Sequence, residues 1–94
     1  MNTPRPQSSV TVEIELPPYT RKNLLRRDWV VAETMRAADR IAPGNFIERV
    51  GIGGDELYTV RVADAIAAVR LRLENQRIVR ESYRDDLDLD HRDC

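Results

Sequence analysis

The chain has 94 residues, 41% of them hydrophobic, and a formal net charge of -1, enough for one small domain that buries roughly 60 to 65% of its unfolded surface. No run of about 18 apolar residues occurs and no apolar segment follows the first charges, so neither a membrane span nor a secretory signal is expected, and a cytoplasmic location is the expectation. Cys94 is the single cysteine, which excludes an intrachain disulfide and a zinc site built from thiolates.

The charges are segregated. Residues 85–94 carry five Asp against one Arg, leaving residues 1–84 with fourteen basic and eleven acidic side chains, a net of +3. A mildly basic body therefore carries an acidic tail. Fourteen of the fifteen basic residues are Arg, which reflects a GC-rich coding sequence or a need for planar recognition of phosphate and carboxylate.

In chain order, residues 1–9 hold two prolines and no apolar residue after Met1, and read as a disordered lead-in to a single domain over residues 10–84. Val10, Val12, Ile14 and Leu16 alternate with Thr11, Glu13 and Glu15, the pattern of a half-buried strand. Pro17 and Pro18 end it, and Thr20 is placed to cap a helix over residues 21–42. On that helix Leu24, Val31, Met35, Ala38, Ile41 and Ala42 form the expected core face, with Lys22, Arg26, Glu33 and Arg40 toward water. Arg27 falls inside the apolar arc. It either snorkels past the edge of the core or turns inward onto a carboxylate or an anionic ligand.

Pro43, Gly44 and Asn45 stop the helix. FIERVGI and LYTVRV, separated by GGDE, have the pattern of a hairpin, and Asp64 caps a second helix over residues 64–84. The order β-α-β-β-α gives an α+β domain, a three-stranded sheet covered on one face by two helices. The alternative is an antiparallel helical hairpin with an irregular connection. Residues 85–94 are expected to be a flexible acidic tail.

The second helix carries two apolar stripes. Ile66, Val69 and Leu73 are expected to meet the core. Ala68, Leu71, Asn75, Ile78 and Ser82 follow alternating three- and four-residue steps, the spacing of a helix-helix seam with one polar a-type position. The seam is assigned to a homodimer, the same stripe packing on the first helix being the intramolecular alternative.

Candidate chemistry is sparse. The glycines of GIGG lead into a strand and not into a helix, so they read as a turn rather than a phosphate cradle. Asp86, Asp88 and Asp90 have the spacing of a calcium loop's first ligands, but His91 replaces the required glycine. No catalytic constellation, cofactor motif or metal site is expected, and a ribbon-helix-helix reading would turn Glu13 and Glu15 toward phosphate. Arg21, Lys22, Arg26 and Arg27 crowd cations at the positive end of a helix, an arrangement that a bound anion would relieve. Two functions follow as expectations: a non-enzymatic interaction or regulatory protein, of the accessory kind that phages and plasmids encode, acting through self-association and an unidentified protein partner; or a binding protein for a nucleotide or nucleic acid at the Arg-rich helix start.

Overall fold

The computed structural model describes residues 9–52, 55–87 and 89. Three strands, β1 (Val10–Glu13), β2 (Phe46–Ile52) and β3 (Asp55–Val62), form one antiparallel sheet in the order β1-β3-β2. Two helices, α1 (Leu24–Ile41) and α2 (Ala65–Glu81), pack against each other and cover one face of the sheet. Short 3-10 turns at Arg21–Asn23 and Asp85–Leu87 flank them. This is the expected α+β order, and the helical hairpin is set aside.

The sheet follows from the alternation. Val12 pairs with Val60 and Val10 with Val62; Val12, Ile14, Val60 and Val62 are buried, whereas Thr11, Glu13 and Arg61 are exposed. The hairpin is tighter than expected. Ile52 pairs with Asp55, so Asp55 and Glu56 belong to β3 rather than to a four-residue loop; Gly53 and Gly54, expected in the turn, lie outside the described residues. Gly44, at φ +85°, sits in the turn after α1, closed by Asn45 N–H donating to the Ala42 carbonyl at 3.0 Å, in the left-handed region where glycine carries no Cβ penalty.

Both helices turn different faces inward than hydrophobicity indicates. On α1 the buried residues are Arg26, Arg27, Val30, Thr34, Ala37 and Ala38, a face rotated by roughly a quarter turn from the expected one. Leu24 is exposed, and Val31 and Met35 are only half-buried. On α2 the inversion is complete. Ala68, Leu71, Asn75 and Ile78 are buried within the single chain, and Ile66, Val69 and Leu73, expected in the core, point to solvent.

The physical reason lies at Asn75. Beyond Glu13 the chain leaves the ladder, with Ile14 N–H still donating to the Tyr58 carbonyl at 2.9 Å, and Glu15 has no strand to pair with. Asn75 takes that place: its Oδ1 accepts from Glu15 N–H at 2.8 Å and its Nδ2 donates to the Glu15 carbonyl at 3.2 Å. The same amide nitrogen donates to Thr34 Oγ1 at 3.2 Å. One side-chain amide thus completes the edge of the sheet and ties both helices to it, so its burial is matched by hydrogen bonds. Ala68, on the same row, lets the helix approach closely. The seam-like spacing of Ala68, Leu71, Asn75, Ile78 and Ser82 is the signature of an intramolecular contact.

Candidate interaction surface

The Arg-rich start of α1 was the first candidate site. Its four cations do not converge. Arg21 and Lys22 are exposed on the 3-10 turn, whereas Arg26, expected in water, is only 6% exposed and Arg27 9%. Adjacent helical positions point about 100° apart, and the two guanidinium groups go to different places. Arg26 Nε donates to the Ser82 carbonyl at 2.9 Å, at the C-terminus of α2, and its planar group lies 4.2 Å from the centroid of the Tyr83 ring. Its Nη1 donates to Asn23 Oδ1. A cation there complements the negative end of the α2 dipole and satisfies a carbonyl the helix leaves unpaired, so Arg26 latches the start of α1 onto the end of α2.

Arg27 turns inward, as one of its two expected readings has it, onto backbone and an aromatic ring. Its Nη1 donates to the Pro17 carbonyl at 2.7 Å, and its guanidinium lies 5.0 Å from the centroid of the Tyr19 ring. Pro17 is itself buried. The crowding of cations at the start of α1 is relieved by carbonyl oxygens and ring faces. Tyr19 and Tyr83 are the ring partners, a role the sequence did not indicate for either.

Beside Arg27 a cleft of about 240 Å³ is lined by Leu16, Tyr19, Leu24, Arg27, Asp28, Val31 and Tyr58. It falls below the ~300 to 1,000 Å³ typical of small-molecule sites. Asp64, as expected, caps α2, accepting from Ala67 N–H at 2.8 Å. Thr20 makes no side-chain cap bond; instead Asn23 Nδ2 donates to the Pro18 carbonyl at 3.0 Å.

The larger feature is the outer face of α2. Ile66 is 73% exposed, Val69 50% and Leu73 60%, and their spacing places them in one stripe diametrically opposite the buried row. Arg80 continues the line two turns beyond Leu73, and Arg70 and Arg72 stand on its two shoulders, all three exposed. The two carboxylates of α2 serve other cations. Glu74 accepts from Arg77 Nε at 2.9 Å and lies 4.0 Å from Arg40, and Glu81 accepts from Arg84 at 3.0 Å with Arg77 at 3.9 Å. The hydrogen bond from Arg77 holds the Glu74 carboxyl below its ordinary value, partial burial opposing the shift and the charges of Arg77 and Arg40 adding to it. Among the described residues no carboxylate forms an ion pair with Arg70, Arg72 or Arg80.

The other sequence candidates are placed as follows. Ala68, Leu71, Asn75 and Ile78, the expected dimer seam, are core. Asp86 pairs with Arg84 at 2.7 Å, and Asp88, Asp90, His91 and Cys94 lie outside the described residues. Among the described residues, no group of three metal-ligating side chains comes together and no helix is long and apolar enough to cross a membrane. Comparison with protein-family models, with curated proteins and with solved structures finds no match to this chain.

Proposed function

We propose that this chain is a small, non-enzymatic interaction module of the cytoplasm that binds another polypeptide through the outer face of α2. One observation carries the reading: Ile66, Val69 and Leu73 form an aligned aliphatic stripe in solvent, on a helix whose opposite row already supplies the core. Scattered single apolar residues on a surface are ordinary, whereas three aligned on one helix face match the i, i+3, i+7 spacing of helix-mediated recognition. Self-association, the other expected mode, would have to use this outer face or another exposed surface, because the seam it was assigned to is occupied inside the monomer. The anion-binding alternative rests on Arg21 and Lys22, Arg26 and Arg27 being engaged by carbonyls and rings.

The test is quantitative capture from a lysate of the native source on immobilised chain, comparing the unaltered protein with Leu73→Glu and with Leu25→Glu, an exposed leucine on α1. The reading expects a defined set of proteins that Leu25→Glu retains and Leu73→Glu loses. The same retained set on all three would contradict it.

A further inference from the structure

The outer face of α2 has a chemistry specific enough to name its partner, and this inference rests on the interaction reading above. Three exposed aliphatic side chains lie in one stripe. Around them stand Arg70, Arg72 and Arg80, without a carboxylate partner among the described residues. Glu74 and Glu81 pair instead with Arg77, and Glu81 also with Arg84 just past the end of α2, which Asp86 meets as well. On α2, the exposed arginines that pair with no described carboxylate thus lie in or beside the apolar stripe.

We infer that this face docks an acidic amphipathic helix of another protein, one that lays aliphatic side chains on Ile66, Val69 and Leu73 and brings Asp or Glu to Arg70, Arg72 and Arg80. The apolar row supplies burial. The arginines supply bidentate donors for carboxylates, which the planar guanidinium fits better than a lysine ammonium would.

A second copy is the competing occupant, and charge argues against it. Antiparallel pairing of two α2 helices across a two-fold axis sets Ile66 near the partner helix's Leu73 and brings both copies of Arg70 and Arg72 to one interface. Like charges so juxtaposed oppose association. A nucleic acid would also answer the arginines, but the centre of the face is aliphatic and offers no aromatic ring for base stacking. An acidic helix satisfies both halves of the surface at once.

The experiment uses the full chain and three fluorescein-labelled helical peptides of roughly 16 residues, each with the same leucine row: one flanked by Glu, one by Lys, one by Gln. Binding is read by fluorescence anisotropy, with a labelled single-stranded oligonucleotide as a further probe. The Glu peptide is expected to bind in the micromolar range and to weaken by about tenfold between about 50 and 300 mM salt, as screened charge pairs do, and the Lys peptide is expected not to bind. Leu73→Glu should abolish binding, and Arg70→Glu with Arg72→Glu should weaken it by at least about tenfold, each with an unchanged far-UV circular dichroism spectrum and denaturation midpoint. Arg21→Glu with Lys22→Glu should leave it unchanged.

Equal binding of the Glu, Gln and Lys peptides would overturn the proposal, because the stripe would then be merely apolar. So would oligonucleotide binding that the Arg70→Glu, Arg72→Glu pair abolishes while no peptide binds. A native chain that sediments as a dimer and dissociates on Leu73→Glu would make the second copy the occupant, overturning the acidic partner while leaving the interaction reading intact. Capture that is indifferent to Leu73→Glu would remove both.

Discussion

The two faces of α2 are the instructive comparison. The inner face holds Ala68, Leu71, Asn75, Ile78 and Ser82, two of them polar, and is buried; the outer face holds Ile66, Val69 and Leu73, all apolar, and is exposed. Summed hydrophobicity would turn the helix the other way. Burial went instead to the row that fits. Asn75 supplies the donor and the acceptor that Glu15 lacks once β1 ends, and leaving such a buried group unsatisfied costs about 1 to 3 kcal/mol, comparable to exposing an aliphatic side chain. The helix is oriented by polar satisfaction and close approach, and the aliphatic row is left for a partner.

The largest effect that could break this comparison is at Leu71, which is fully buried. Leu71→Ala is expected to lower the unfolding free energy by about 2 to 5 kcal/mol, the range for a leucine deleted from a core. Leu73→Ala, two residues away, should change it by less than about 0.5 kcal/mol, as surface substitutions do. Urea denaturation of the two variants side by side checks the pair. Equal losses would mean that both rows are packed.

Asn75→Ala comes next. It strips the partner from Glu15 N–H and from Thr34 Oγ1, and a loss of about 2 to 3 kcal/mol is expected, more than one ordinary hydrogen bond contributes. Asn75→Leu should not rescue it, because the larger apolar side chain leaves the Glu15 backbone unsatisfied. A leucine variant as stable as the native chain would show that packing alone orients the helix.

Arg26→Ala is expected to cost about 1.5 to 3 kcal/mol through the Ser82 carbonyl and the Tyr83 ring. Arg26→Lys should recover only part of that, since an ammonium cannot both donate from the Nε position and stack as a plane. Hydrogen exchange localises the effect: amides in the last turn of α2 should lose protection before those of its first turn.

The smallest effect is a pH dependence. The Glu74 carboxyl is held below its ordinary value, chiefly by the hydrogen bond from Arg77. Its folded pKa thus lies under its unfolded one, so its contribution is fully present above the ordinary glutamate value and fades as pH falls through the depressed one. Glu74→Gln should flatten that part of the stability profile below about pH 4.5, by a few tenths of a kcal/mol for so accessible a pair. A flat difference between the two proteins across that range would contradict the assignment.

Element type and order were legible in the sequence because they depend on local signals. Strict alternation marked β1, Pro43 to Asn45 marked the end of α1, and Asp64 marked the start of α2 where its side chain indeed caps Ala67 N–H. Which way each helix turns was not legible. On α1 the buried row includes two arginines and a threonine, whose burial depends on partners in other elements: the Ser82 carbonyl for Arg26, the Pro17 carbonyl for Arg27 and the Asn75 amide for Thr34. On α2 the decisive residue was Asn75, whose partner lies sixty positions away. A polar residue in the middle of a seam-like row was the available clue. It signalled a specific intramolecular contact rather than the register of a coiled coil.

The same logic applies to the candidate surface. Arg70, Arg72 and Arg80 were visible as cations flanking the Ile66, Val69 and Leu73 stripe, because their spacing on the helix fixes that arrangement, but that this side of α2 faces solvent depends on the rotation of the helix. With the helix turned the other way, the stripe would be buried.

The most direct measurement of that rotation is thiol reactivity along α2. In a Cys94→Ser background, Leu73→Cys and Leu71→Cys are each exposed to an aromatic disulfide reagent without denaturant, with the same variants unfolded in urea as the reference. Leu73→Cys is expected to react within a few-fold of its unfolded rate, whereas Leu71→Cys should be slower by at least about a hundredfold, gated by opening of the core. Comparable rates at the two positions, or the faster rate at Leu71→Cys, would contradict the account.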